Sequence, residues 1–405
     1  MIKDHYLDVH KFIKDKNILK LFDVVEQHGG VLRFVGGWVR DALAGLASDD
    51  MNLTTDMAPD ELVEACEESG IKTVPIGIKL EKVGVVFGNN VLEISSLRKN
   101  KFFGNKTEIE FSSNWEVDAS KRDLTINAVY ADIQGNVFDY YNGINDLEKG
   151  LIRFIGSPSA RIKEDYIRIL RFFRFYSIFG KGPMDEKSLQ ACIELHENLR
   201  SVPMEKIRDE LFKILVTPKA METISLMDKY EILSFVLPTP KNFDKLGFLV
   251  RLIEYYHLSS SALRRMFLIY DPDEKLAESL ASRLKFSKKE KQLFVSLAQI
   301  HLSLDDLCDV KKLNKFIYLY GKDFCLNKLL LQASLDMKVP ENLVFLLKHI
   351  ETYKVPEFPI KGRDILDKGL SESSKIGEVL KMMEKTWIES DFELSGDEIL
   401  QKIAK

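Results

Sequence analysis

The sequence predicts an α+β protein: a head built on a mixed β-sheet, followed by a long all-helical remainder. Three observations predict it. Strand-period segments and tight-turn signals are confined to about the first 135 residues. From Ala160 onward the strand signals vanish and amphipathic segments take over. The chain has 405 residues, a length that suits two to four domains or helical modules.

The elements follow in order. Ile18 to His28 reads as an amphipathic helix ended by Gly29-Gly30. Strands are expected at Val31–Val35, Asp50–Leu53, Lys82–Phe87, Val91–Ser95 and Thr107–Phe111. Pro59-Asp60-Glu61-Leu62 opens a helix that stops at Gly70. Gln134-Gly135-Asn136, between Val129–Asp132 and Val137–Asp139, signals a hairpin. A five-stranded mixed sheet with helices packed on it fits this order. Helices are then expected at 162–179, 187–196, 206–215, 221–227, 243–256, 259–269, 288–302, 311–320, 323–336 and 344–353, with turns such as Asp271-Pro272-Asp273 and Val339-Pro340 between them. No fixed repeat period is present.

The chain is 45% hydrophobic and 30% charged, enough for a sizeable core. No apolar run reaches membrane-spanning length, and Met1-Ile2-Lys3-Asp4-His5 lacks a secretory pattern, so a cytoplasmic location without membrane partners is expected. Cys66, Cys192, Cys308 and Cys325 have neither metal nor disulfide spacing and read as reduced core thiols. A net charge of −4 does not announce a nucleic-acid binder, but whole-chain charge hides local patches. Basic clusters occur at Lys285, Lys288, Lys289 and Lys291 around Phe286, and at Lys311-Lys312.

The most informative segment is Gly36-Gly37-Trp38-Val39-Arg40-Asp41, followed by Asp50-Met51-Asn52. Two glycines after an apolar run let the backbone turn tightly and approach a ligand. Their amides, with Arg40, suit a triphosphate. Asp50 and residue 52 would share one face of a strand, because strand side chains alternate with period two. Two carboxylates so placed would hold two Mg²⁺ ions for in-line nucleotidyl transfer. The second position here is Asn52, which offers a carbonyl oxygen without charge.

This pair of segments resembles the nucleotidyltransferase head of class II tRNA CCA-adding enzymes and bacterial poly(A) polymerases. Their pattern is Gly-Gly-x-Val-Arg-Asp followed by Asp-x-Asp. Two further segments resemble the same family. Lys121-Arg122-Asp123-Leu124-Thr125-Ile126-Asn127-Ala128 is similar to Arg-Arg-Asp-Phe-Thr-Ile-Asn-Ala, which implies that Arg122 and Asp123 contact the incoming nucleotide and its ribose. Glu164-Asp165-Tyr166-Ile167-Arg168 is similar to Glu-Asp-x-x-Arg, the family's protein template for base choice. On a helix Asp165, Arg168 and Arg171 step by three and project from one side. Asp165 would accept from an exocyclic amine, which CTP and ATP carry, and Arg168 would donate to the ring. Glu93 resembles a strand glutamate that lies near the Asp-x-Asp pair, placed to help hold metal or orient a donor. Lys99 to Lys106 would be the mobile loop of C-to-A switching, hinged at Gly104.

The chain departs from the family at Asn52, at Lys121, at Leu80-Glu81-Lys82 (where relatives carry His-Gly-Thr) and at Asn100 and Asn105. The resemblance implies a head at 1–135, a neck with the nucleotide-selecting helix at 136–215, a body at 216–300 and a tRNA-binding tail at 301–405. Val355 to Gly362 resembles a tail signature. The expected function is addition or repair of the 3′-terminal CCA of tRNA from CTP and ATP, with a two-metal Mg²⁺ site at Asp50 and Asn52. Arg40, Arg122 and Arg171, with Gly36 and Gly37, would take phosphates. The alternatives are a poly(A) or A-only polymerase of the same branch, and a non-catalytic tRNA-binding paralogue motivated by Asn52.

Overall fold

A computed structural model describes residues 6–11, 13, 15–46, 51–76, 82–88, 90–103, 106–240, 242–367 and 376–403. The chain forms two compact units, Met1–Leu233 and Ser234–Lys405.

The first unit opens with α1 (Lys16–Gln27), whose N-terminal amides are capped by the Asp15 carboxylate. Then come β1 (Leu32–Val35), α2 (Gly37–Leu43), β2 (Leu53–Thr55), α3 (Pro59–Glu68), β3 (Thr73–Ile76), β4 (Lys82–Phe87) and β5 (Asn90–Ser96). β6 (Arg98–Phe103), β7 (Lys106–Phe111), α4 (Trp115–Ser120), β8 (Val129–Ala131) and β9 (Val137–Asp139) complete the head. Helices α5 (Gly143–Lys149), α6 (Pro158–Glu164), α7 (Arg168–Phe179), α8 (Glu186–Leu195), α9 (Met204–Leu215) and α10 (Ala220–Lys229) follow.

The main sheet has seven strands in the order β3-β4-β5-β2-β1-β8-β9, two more than the sequence predicts. Only β2 and β5 run parallel; the other ladders are antiparallel. The added edge strand β3 (Thr-Val-Pro-Ile) escapes a sequence reading because Pro75 argues against a strand, yet an edge tolerates it. The Gly135 turn joins β8 to β9 in register, Tyr130 opposite Phe138. One face of the sheet packs on α1, α2 and α3, where Phe34 stacks on Trp38 at 4.4 Å and meets Phe22 at 4.8 Å. Burying each such side chain contributes about 1.5–3 kcal/mol.

Two local expectations are corrected. Lys99 to Lys106, expected as a mobile loop, lies mostly within the β6–β7 hairpin, where Lys99 pairs with Glu110 and Phe103 with Lys106. Its tip, Gly104 and Asn105, lies outside the described residues, as do Leu80 and Glu81. The helix expected over 162–179 is broken at Asp165, which is extended (φ −159°, ψ 108°). The Asp165 carboxylate accepts from Ile167 N at 3.3 Å, a local turn that competes with helical pairing.

The second unit is helical among the described residues. It comprises α11 (Phe243–Tyr255), α12 (Ala262–Tyr270), α13 (Glu274–Arg283), α14 (Lys288–Gln299), α15 (Leu304–Cys308), α16 (Val310–Tyr320), α17 (Lys322–Leu335), α18 (Leu343–Thr352), α19 (Gly362–Asp367), α20 (Ile376–Glu389) and α21 (Gly396–Ile403). A small aromatic core around Trp387, Ile360 and Ile399 closes the C-terminal helices. Among the described residues no helix is long and apolar enough to cross a membrane.

Candidate active site

A cavity of about 560 Å³ opens in the first unit between the β1–α2 turn, the residue before β2, the segment 122–127 and α7. Seven of the eleven site residues expected from sequence line it: Gly36, Gly37, Arg40, Asn52, Arg122, Asp123 and Arg171. Asp50 lies outside the described residues. Glu93, Asp165 and Arg168 are not among the lining residues.

Gly36 sits at φ 70°, ψ −124°, a conformation that side chains disfavour. A β-carbon there would stand 3.2 Å from Arg122 Nη1. The glycine therefore does two things: it turns the chain from β1 into α2, and it leaves room for a guanidinium.

The polar lining is tied into one network through Asp123. Its Oδ2 accepts from Arg171 Nε at 2.6 Å, and its Oδ1 accepts from Leu124 N and Asn127 Nδ2, each at 2.9 Å. Asn127 Oδ1 accepts in turn from Arg40 Nη1 at 2.5 Å. Arg40 also forks onto Asp41 Oδ1 through Nε and Nη2 at 2.9 and 2.7 Å, and lies over the rings of Phe175 and Phe179. Arg122 donates to Tyr130 Oη and Asp118 Oδ2, while Tyr130 Oη donates to the same Asp118 oxygen at 2.7 Å.

Burial disfavours charge on Asp123, but the Arg171 guanidinium and three hydrogen bonds outweigh it and hold the carboxyl below the usual range. Burial likewise opposes the Arg171 charge, and Asp123 overcomes it, leaving that pKa raised. Arg40 and Arg174 are shifted down, mainly by burial. Four arginines and two carboxylates, Asp41 and Asp123, line the cavity, while Asp118 and Glu210 pair with Arg122 and Arg174 from outside the lining. Such a lining attracts a polyanion.

Sequence reasoning missed Arg174 and the apolar wall of Phe175, Ile178 and Phe179. The signal was present: Arg174 continues the three-residue step from Arg168 through Arg171, along one side of α7. Its guanidinium pairs with Glu210 at 2.9 Å. Asp165 is exposed, and Arg168 Nη1 is held by Glu164 Oε2 at 2.6 Å and the Arg161 carbonyl at 2.8 Å. The three-step array expected on one helix therefore begins only at Arg168.

Glu93 has a definite relation to Asn52. β2 and β5 pair Leu53 with Ile94, so one step earlier Asn52 comes opposite Glu93, and paired residues share a sheet face. The Glu93 carboxylate is engaged by Lys82 Nζ at 2.9 Å, with both side chains about half exposed. Among the described residues no cluster of three or more His, Cys, Asp or Glu side chains is placed to hold a metal ion. Amide and carboxylate oxygens at 52 and 93 are hard donors of the kind Mg²⁺ takes. They amount to a partial set; Asp50, the other ligand expected from sequence, lies outside the described residues.

Residues 32–153 match the family model described as the Poly A polymerase head domain. Residues 183–243 match the one described as the probable RNA and SrmB-binding site of polymerase A. The chain is 31% identical to human CCA tRNA nucleotidyltransferase 1, mitochondrial, over 96% of this chain and 89% of that protein. The fold is similar to the Bacillus stearothermophilus CCA-adding enzyme solved with CTP (TM-score 0.75, 21% identity, 96% of each chain covered). It is also similar to the Thermotoga maritima CCA-adding enzyme solved with tRNA (TM-score 0.62, 20% identity, 99% of each chain covered).

Proposed function

The chain belongs to the family of CCA tRNA nucleotidyltransferases, and from that premise we propose that it adds or repairs the 3′-terminal CCA of tRNA from CTP and ATP. The single observation that carries this reading is the arginine-rich cavity joining the Gly36-Gly37 turn, Arg122-Asp123 and Arg171. A nucleoside triphosphate matches its charge: guanidinium forks hold phosphate oxygens, and the carboxylate of Asp123 accepts from sugar hydroxyls.

In this reading Arg122 and Arg171 grip the triphosphate beside the Gly36-Gly37 backbone. Arg40 is braced by Asp41, Asn127 and two rings, so it orients the network and contributes charge from behind. Asp165 and Arg168 choose the base. Arg168 must then exchange its Glu164 partner for the ring of the bound nucleotide. Glu164 is 44% exposed but Arg168 only 17%, so the exchange gives up a half-buried ion pair and the Arg161 carbonyl, which the contacts to the base would replace.

The family is typically metal-dependent, and Asp50 and Asn52, assisted by Glu93, would hold Mg²⁺. Bound there, Mg²⁺ would activate the primer 3′-hydroxyl and neutralise charge on the transferred phosphate. Engagement of Glu93 requires Lys82 to release it, and so exposed a pair contributes only about 0–1 kcal/mol.

The domain reading is a head at 1–135 and a neck at 136–215, both within the first compact unit. The body at 216–300 begins in the first compact unit and continues in the second, and the tail at 301–405 is read as holding tRNA. The site of action is read as the cytoplasm. The human relative is named as mitochondrial, and fluorescence microscopy of the tagged chain decides between the compartments.

Asn52, together with the Lys82–Glu93 pair, favours one second reading: a paralogue that binds tRNA and nucleotide without transfer. Incubation with tRNA lacking its 3′ end, one nucleotide at a time, separates the two. Addition of C, C and then A supports the enzyme. Continued A addition points to a poly(A) polymerase. Binding without incorporation in the presence of Mg²⁺ supports the paralogue.

A further inference from the structure

The basic cluster around Phe286 has no part in the nucleotide cavity, and the second unit gives it a setting of its own. Between Arg283 and Lys291 the chain carries five basic residues against the single acid Glu290. Lys285, Lys288, Lys289 and Lys291 are all exposed. Glu290 is committed to a capping box at the start of α14. Its carboxylate accepts from Ser287 N at 2.7 Å, while Ser287 Oγ accepts from Glu290 N at 3.3 Å. Its charge thus serves the helix terminus, and lysine charge dominates the surface.

Beside this cluster a cavity of about 520 Å³ opens between α14 and the α16–α17 elbow. Lys289, Gln292 and Ser296 contribute polar groups from one side, and Leu319, Tyr320 and Phe324 supply the other. Tyr320 is 40% exposed and Leu319 is 50% exposed. The Tyr320 ring is braced by Phe316 (centroids 6.4 Å apart) and by Phe324 (5.0 Å). A sharp turn at Gly321, φ 86°, presents the ring at the elbow. At the mouth Lys289 pairs with Asp323 at 3.2 Å, with side chains 86% and 70% exposed. So open a pair yields readily to a phosphate. The volume lies within the roughly 300–1,000 Å³ of small-molecule sites.

We propose that this cavity is a second nucleotide-recognition site, which takes one unpaired nucleotide of the tRNA with its base on Tyr320 and its phosphate at Lys289. The proposal rests on the reading of tRNA as substrate. Its argument is charge complementarity joined to stacking. A grip on a duplex by shape needs only surface cations, whereas a splayed-out base needs a braced aromatic face and adjacent hydrogen-bonding groups. This cavity has all of these.

The test uses the full chain, with Tyr320→Leu to keep apolar bulk and Lys289→Ala at an exposed position. Kd for tRNA is measured by fluorescence anisotropy across a salt series, and Kd for CTP by calorimetry. Tyr320→Leu is expected to weaken tRNA binding about tenfold, the scale of one lost base stack. Lys289→Ala is expected to lower the slope of log Kd against log salt by about one. CTP affinity should not change in either variant.

Unchanged tRNA affinity and slope in both variants would overturn the proposal. A direct titration with CMP or AMP is the second arm: if these bind the wild type but not Tyr320→Leu while tRNA affinity is the same in both, the site is one for free nucleotide and the RNA assignment fails. Should Tyr320→Leu not fold, the Lys289→Ala slope decides alone. Nucleotide addition by the wild-type chain is assayed in parallel. Its absence would count against transfer, while the binding comparison would still decide the pocket.

Discussion

Asp123 is the residue on which the cavity turns, and Asp123→Asn measures how much it holds. The substitution keeps an oxygen for Leu124 N and Asn127 Nδ2 but removes the charge facing Arg171 Nε. A hydrogen bond to a charged group contributes about 1.5–3 kcal/mol. The Arg171 side chain is 34% exposed and rehydrates in part, so the low end applies, and a loss of about 2 kcal/mol is expected. The double-mutant cycle with Arg171→Ala should give a coupling of about 1–2 kcal/mol. The assay is denaturant unfolding followed by tryptophan fluorescence in a Trp387→Phe background, which confines the signal to Trp38 and Trp115 of the first unit. CTP affinity should fall about tenfold, the equivalent of 1.4 kcal/mol. The pH dependence has a fixed sign. The folded pKa of Asp123 is depressed, so its contribution is complete above the unfolded carboxylate value of about 3.9 and is lost as pH falls through the lower folded value. The mutant should therefore lose its deficit relative to wild type only under acid conditions. Additive single and double mutants, or a deficit unchanged at low pH, would refute the network.

Three further outcomes are expected. Asn52→Asp should raise nucleotide turnover and tighten Mg²⁺ binding, because it adds a charged ligand opposite Glu93; steady-state incorporation and a metal titration check this, and no gain in either contradicts it. Arg168→Ala should weaken discrimination of CTP and ATP from UTP and GTP by about 1–3 kcal/mol, read by single-nucleotide incorporation, and unchanged selectivity removes Arg168 from base choice. Gly36→Ala should cost about 1–3 kcal/mol in stability through its positive φ and displace Arg122, so CTP binding falls in calorimetry; wild-type affinity would show that the turn relaxes without moving the arginine.

The head was legible because its site residues are local in sequence. Gly36, Gly37 and Arg40 lie within one short segment, and Arg122 and Asp123 within another, so the resemblance of two short motifs names them; it does not single out Asn127, in the second. What escaped the sequence is decided by long-range contact. The pairing of Asp123 with Arg171 spans 48 residues, and no local signal says which arginine of α7 it takes. The break at Asp165 escaped for a different reason. An aspartate within an amphipathic run reads as a surface residue, while its side-chain bond to Ile167 N is a competing local turn that periodicity does not weigh. Phe175 is buried and also lines the cavity beneath Arg40, so one residue serves both core and site.

The departures at the metal side and the retention at the phosphate side fit together as one electrostatic statement. Position 52 has lost a charge, and the carboxylate opposite it is engaged by Lys82. The arginines around the cavity remain, braced by Asp41, Asp118, Asp123 and Glu210. In the proposed reading, triphosphate binding and metal recruitment draw on opposite signs of charge, so the two would be separable. Binding rests on groups already ordered by the fold. Transfer, in that reading, rests on the negative charge that Asp50 and Glu93 would supply beside a neutral Asn52. CTP affinity measured in EDTA should therefore change little in Asn52→Asp, while the increment in affinity brought by Mg²⁺ should grow. Isothermal calorimetry with and without the metal reads both quantities on one sample. A large change in the EDTA value would mean that position 52 acts on the triphosphate directly, and the separation of the two charges would fall.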